Sequence, residues 1–275
     1  MKLKLLPPTM GLLWMKDAYR TFKAYPKVFF TLFGACYLLA VLVFIGSSIL
    51  AALGILCSIA MMVATHDLLQ GNINPKSPAI LDVFSKLLRH GNTVILILLY
   101  TFCFFLVQSL VQFLCTQITP DFYTQYLGYV AALRSSEKTP PEILLQAYPH
   151  IIAMQALLLI MPYLILFPFF CMSPALVFWG GVSPAKSMVF NFIAFIKNKR
   201  TWLIFIISWT CITLLSVLLA LIVFTLCSLL FGKAGIALGT LLALIAVILF
   251  CAIGSAVMSA SLYYAYHSCF IMHEK

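Results

Sequence analysis

The sequence predicts an all-α, polytopic membrane protein with six transmembrane helices. Three observations predict it. Of 275 residues, 64% are apolar and only 9% charged, against roughly 45–50% and 25% in a soluble domain. The apolar residues fall in long uncharged runs, each long enough to cross a bilayer once or twice. The cations cluster at the ends of those runs. This composition excludes a soluble globular fold, which needs more polar surface, and disorder, which needs low hydrophobicity.

The elements follow in order. The opening Met1-Lys2-Leu3-Lys4 is basic, but Pro7-Pro8 and then Lys16, Asp17 and Arg20 leave no signal-peptide core, so the N-terminus is expected to be retained. Residues 10–24 read as an amphipathic helix with Leu12, Met15, Tyr19 and Phe22 on its apolar face. Residues 28–65 carry no charge over 38 positions. One helix of that length would be about 57 Å long, so two short spans are expected, turning at Gly46-Ser47-Ser48. A second amphipathic helix is expected at about 78–90, with Ile80, Phe84, Leu87 and Leu88 inward, and a third span over 93–118. Residues 119–148 form the long polar connection, with net charge −1. Span four covers 151–180, and a third amphipathic helix about 184–198 has Met188, Phe192, Ile193 and Ile196 on its apolar face. Spans five and six, 201–231 and 234–266, join at Gly232-Lys233.

The three amphipathic helices share a design. Each ends in cations, at Lys23, Arg89 and Lys197 with Arg200, before a pair of spans. Ser77-Pro78-Ala79 recurs as Ser183-Pro184-Ala185, with Ser expected to cap the helix and Pro to fit its first turn. The chain is therefore expected to be a single membrane domain of three elbow-helix-plus-hairpin repeats, at about 10–72, 77–180 and 183–267. Six spans place both termini on one face, which then carries 14 of the 17 Lys and Arg residues. That bias predicts cytoplasmic termini.

This pattern resembles a family of small, largely uncharacterised bacterial inner-membrane proteins. It is also similar in plan to the membrane domain of some glycerophosphodiester phosphodiesterases. The resemblance rests on Gly11-Leu12-Leu13-Trp14-Met15-Lys16-Asp17-Ala18-Tyr19 with Phe22-Lys23 and Pro26, and on Thr65-His66-Asp67-Leu68-Leu69-Gln70-Gly71. Ser173-Pro174-Ala175-Leu176-Val177, Ser183-Pro184-Ala185 and Ser261-Leu262-Tyr263-Tyr264-Ala265-Tyr266 also carry it. It implies the elbow-and-hairpin fold and no catalytic residues. The polar loop at 119–148 is longer than that pattern, and phosphodiesterase activity is not expected of these 275 residues.

The functional reading follows from where charge is missing. The cores of the expected spans contain no Asp, Glu, Lys, Arg or His, which argues against a proton pump with a midplane carboxylate. His66-Asp67 and His267 lie at span ends and read as interfacial residues. No GxSxG, HExxH or P-loop occurs, and neither a cofactor nor a metal site is expected. The nine cysteines form no CxxC pair and read as small buried hydrophobes. Net charge is +10, but it lies beside apolar spans, so anionic lipid headgroups are the expected partner and nucleic acid is not. Lys23, Arg89, Lys197 and Arg200 are the candidate headgroup ligands.

Polar residues inside the spans are Gln108 and Gln112, one turn apart, and Gln155. They read as helix-to-helix glue. Pro162, Pro168 and Pro174 are expected to kink span four. Gly235, Gly239, Ala252, Ser255, Ala256, Ser259 and Ala260 form a small-residue stripe on span six that suits close packing, in the chain or in a homo-oligomer. The expected function is non-enzymatic, structural or lipid-organising. The alternative is a transporter or flippase for an apolar or amphipathic substrate, working through the kinked fourth span and the glutamines.

Overall fold

A computed structural model describes residues 2–42, 47–72, 80–118 and 149–271. The order is β1 (Lys2–Leu3), α1 (Met10–Ala24), α2 (Pro26–Leu42), α3 (Ser47–Leu69), α4 (Ile80–Arg89), α5 (Gly91–Ile118), α6 (Pro149–Phe170), α7 (Ser173–Phe178), α8 (Pro184–Lys197), α9 (Lys199–Cys269) and β2 (Phe270–Ile271). Helix dominates, as the composition requires, because backbone polar groups in lipid must be bonded within their own segment. The chain forms two compact units. The first joins Met1–Ile97 to Phe169–Lys275, and the second is Leu98–Pro168.

Five stretches are long and apolar enough to cross a membrane: Ala51–Leu69, Gly91–Gln117, Ile160–Phe178, Lys199–Leu229 and Leu238–Cys269. This fits a multi-pass integral membrane protein. The expected first span is described only as α2, with 17 residues. That is about 26 Å of helix, short of a core of roughly 30 Å. The Gly46 turn, Ser77-Pro78-Ala79 and the 119–148 loop lie outside the described residues.

In the first unit α1 leads into α2 through Tyr25. A residue before proline avoids the α region, and Tyr25 sits at φ −133°, ψ 50°. Pro26 then opens α2, where its missing N–H costs nothing. α3 is buried almost all round from Ile59 to Thr65, as expected of a central helix. It stops at Gly71, whose φ of 71° suits glycine. There the Asn72 N–H bonds to the Asp67 carbonyl and the Gly71 N–H to that of Leu68, which closes the helix end.

α9 contains the expected reversal between spans five and six. Gly232 has φ 55° and ψ −131°, outside helical values. The two arms lie side by side. A Cβ on Gly239 would stand 3.2 Å from Phe224 and Cys227 of the first arm. Ala252, Ala256, Ser259 and Ala260 are buried within the chain, so this part of the span-six stripe serves intrachain packing rather than a second copy. The side chain of Gln155 and the placement of Gly235 as a packing residue lie outside the described residues.

α1 fastens onto both arms of α9. Its buried residues are Gly11, Trp14, Met15, Ala18, Thr21 and Phe22. Trp14 packs on Trp202 and Phe205 of the first arm, with ring centroids 5.2 and 6.0 Å apart. The Trp14 indole N–H donates to Ser268 Oγ at 3.1 Å, and Thr21 shares a 2.8 Å hydrogen bond with Tyr264, both on the second arm. The segment before α1 closes the circuit. β1 pairs antiparallel with β2, and buried Asn198 accepts from the Leu6 N–H at 2.8 Å and donates to the Lys4 carbonyl at 3.2 Å.

The amphipathic helices exist where expected, but their buried faces differ. Met15 and Phe22 of α1 are buried, whereas Leu12 and Tyr19 are exposed. On α4, Leu87 is buried and Leu88 exposed, with Val83 inward instead. α8 is inverted. Pro184, Ser187, Asn191 and Ala194 are buried, while Phe192, Ile193 and Ile196 face outward. Asn191 is satisfied by the buried Cys171 thiol at 3.5 Å. Small residues let α8 approach the bundle closely, and its large apolar side chains turn to the surroundings. Ser183 precedes α8 in extended conformation but makes no side-chain cap bond. The Ser187 N–H bonds to its backbone carbonyl instead.

Span four also differs. Pro162 and Pro168 lie inside α6, but Pro174 does not kink it. The helix ends at Phe170, and Pro174 occupies the first turn of the separate α7. Ser173 Oγ donates to the Phe169 carbonyl at 2.6 Å, satisfying a group the break exposes. In the second unit, Phe104 of α5 meets Tyr163 of α6 edge to face at 5.0 Å.

Gly11 tests the α1 clamp. A Cβ there would lie 2.5 Å from the Thr201 carbonyl oxygen, a backbone atom with little freedom to move. Gly11→Ala is expected to destabilise by about 1–3 kcal/mol, the usual cost of overpacking, and to lower the thermal midpoint in detergent. Gly34→Ala, with open space around it, should change stability by no more than about 0.5 kcal/mol and leave the midpoint close to that of wild type.

Candidate functional site

The polar chemistry of the first unit gathers at one end, where α3 and α9 finish and α4 and α8 pack. The α3 terminus sets His66 and Asp67. His66 Nδ1 shares a 2.9 Å hydrogen bond with the Tyr263 hydroxyl of α9. Tyr263 also touches His267, one turn later, at 4.6 Å between ring centroids. Trp179, just past α7, packs on His66 at 5.1 Å and Tyr263 at 5.4 Å. Tyr266 and Trp179 stand 6.1 Å apart. Tyr263 is therefore the hub of an aromatic and imidazole cluster built from three helix ends.

Asp67, the residue after His66, is paired with α4. Its carboxylate is buried and takes a 2.6 Å ion pair from Lys86 Nζ on α4. A buried carboxylate without a partner would be costly, so Lys86 fixes α4 against the end of α3. His90, which follows α4, packs on Phe178 at 5.1 Å and shares a 3.2 Å hydrogen bond with buried Thr93.

The sequence-derived candidates distribute as follows. Lys23, Arg89, Lys197 and Arg200 are all exposed, and neither ion pair among the described residues uses them. They belong to the same end of the unit as the His66 cluster. Thr21, near Lys23, bonds to Tyr264, and Asn198, next to Lys197, lies against Cys269. Arg89 closes α4, which Lys86 anchors. Gln108 is partly buried and Gln112 exposed, both in the second unit. Pro162 and Pro174 are buried and Pro168 partly so.

From the sequence, His66, Asp67 and His267 lie at span ends, and their clustering at one face is the arrangement that would favour an enzyme; the structure brings both histidines to Tyr263 and pairs Asp67 with Lys86. The residues that sequence reasoning missed are Tyr263 as the common neighbour of the two histidines, Trp179 and the Lys86 partner of Asp67. The available signal was density: Tyr263, Tyr264, Tyr266 and His267 crowd the last turns of the final span. Among the described residues, no group of three or more His, Cys, Asp or Glu is placed to hold a metal ion. The arrangement is an aromatic and imidazole cluster with exposed cations at the same end of the unit. The chain matches no protein-family model, curated protein or solved structure.

The Asp67–Lys86 pair generates a measurable prediction. Asp67→Asn and Lys86→Met should each destabilise the protein, and the double variant should cost less than their sum. The expected coupling is about 1.5–3 kcal/mol, the range for hydrogen bonds to charged groups, read by denaturation of the four proteins in one detergent. Additive losses would show that α4 is held without the pair.

Proposed function

We propose that the protein is a non-enzymatic inner-membrane protein that organises anionic lipid at the cytoplasmic leaflet. The observation that carries this reading is the inverted α8. It presents Val189, Phe190, Ile193 and Ile196 outward and ends in exposed Lys197, followed by exposed Lys199 and Arg200. A helix that is apolar on its outer face and basic at its end suits the headgroup boundary, with the apolar side chains in the acyl region and the cations at phosphate depth. Lys23 and Arg89 extend the same basic rim. In this reading the chain is one of the small bacterial proteins it resembles. It has six spans, the elbows repeat three times, and both termini are cytoplasmic.

The transport alternative finds less support. Gln112 is exposed rather than turned to an interior path, and Pro174 starts a new helix instead of kinking the span.

Native mass spectrometry of the purified protein tests the proposal. The wild type should retain phosphatidylglycerol or cardiolipin in preference to phosphatidylethanolamine. Reversal of Lys23, Arg89, Lys197 and Arg200 to Glu should reduce anionic lipid selectively. Each cation near an anionic surface contributes about 1 kcal/mol, so even single reversals should lower retention several-fold. Unchanged anionic lipid in the quadruple variant would overturn the reading.

A further inference from the structure

The first unit holds a cavity of about 360 Å³ between α2, α3 and the second arm of α9. Cys36, Cys57, Met258, Ser58, Ser255 and Ser259 line it. Cys36 of α2 and Cys57 of α3 both line this cavity, so the two thiols border one space together with the Met258 thioether of α9. Ser259 Oγ donates to Ser58 Oγ at 3.2 Å, so these two hydroxyls partly satisfy each other and leave sulfur as the distinctive donor. Tyr37 lines the cavity while being 53% exposed, which opens it to the surface of the unit. Among the described residues lining it there is no carboxylate, imidazole or amine.

Donor type selects the ligand. Thiolate and thioether are soft donors that favour Cu(I), whereas carboxylate and carbonyl oxygen favour hard cations. Structural zinc closes four strong ligands around itself, and three sulfurs do not supply them. Charge points the same way, because an uncompensated ion within an apolar span is costly. We propose that Cys36, Cys57 and Met258 form a binding site for one Cu(I) ion. Binding replaces one thiol proton, which passes to buffer, by Cu⁺. The resulting Cu–thiolate unit is neutral, and the second thiol and the Met258 thioether complete it as neutral donors. Copper stays in the +1 state throughout.

The test uses the full chain, purified in detergent, reduced and kept anaerobic. Cu(I) is supplied from a chromophoric Cu(I) chelator in competition. The wild type should hold one equivalent that Cys36→Ser and Cys57→Ser each lose, with affinity falling at least about tenfold, the scale on which even supporting groups of metal sites act. Met258→Leu should weaken it as well. Cys211→Ser and Cys251→Ser, at exposed cysteines, should leave it unchanged. X-ray absorption on the wild-type complex should show two or three sulfur neighbours, a readout that does not depend on any variant folding. The proposal is overturned if wild type holds no more Cu(I) than Cys36→Ser, if the Cys211 or Cys251 variant removes the same equivalent, or if copper sees only nitrogen and oxygen.

Discussion

The first unit depends on the close approach of α1 to the α9 hairpin. Gly11 permits it, since any side chain there would meet the Thr201 carbonyl. With that contact made, Trp14 reaches both arms of α9, through Trp202 and Phe205 on one and Ser268 on the other. Aromatic pairs of this kind contribute about 0.5–1.5 kcal/mol beyond burial. The contact also brings the first residues of the chain beside the last helix, where β1 pairs with β2 and Asn198 takes up otherwise unpaired backbone groups. A helix lying on two others in lipid gains little from water exclusion. Close packing and satisfied polar groups therefore hold it.

That clamp also sets where the chemistry lies. The end of α9 that α1 holds also meets the end of α3 through His66 and Tyr263, and α4 is paired to α3 through Lys86, so polar groups excluded from the spans accumulate at this end of the unit. Some are consumed in structure: Asp67 is paired with Lys86, and His66 with Tyr263. Others remain exposed: Lys23, Arg89, Lys197 and Arg200. The division has a physical basis. Groups facing the bundle must find partners or carry a desolvation penalty, whereas those at the rim keep water or headgroups as theirs. The sulfur-lined cavity differs because it lies within the spans, where thiols and thioethers can be buried without the penalty that charges face.

Much of the architecture was legible in the sequence. The reversal at Gly232 was expected from its place between two apolar runs, and it depends on the backbone freedom of one residue. The three elbows were visible as amphipathic stretches with basic ends, and the absence of charge from the runs identified the membrane setting. Amphipathicity did not reveal which face is buried, as α8 shows. In water the apolar side of a helix turns inward. At a bilayer the outside is apolar too, so hydrophobicity no longer distinguishes inside from outside, and Ser187, Asn191 and Ala194 win the interior by size.

The sequence by itself determined the class of protein, the positions of the helices and the sidedness expected of the cations. These follow from local composition, periodicity and turn chemistry. Only the tertiary structure decided that Tyr263 joins His66 to His267, that Lys86 answers Asp67, that Cys36 and Cys57 line one cavity, and that Ala252, Ala256, Ser259 and Ala260 of the span-six stripe pack against their own chain. Each joins residues far apart along the chain or on helices whose rotation is set by their neighbours. Side-chain size and partner satisfaction fix that rotation, and neither is written in the hydropathy of a single segment.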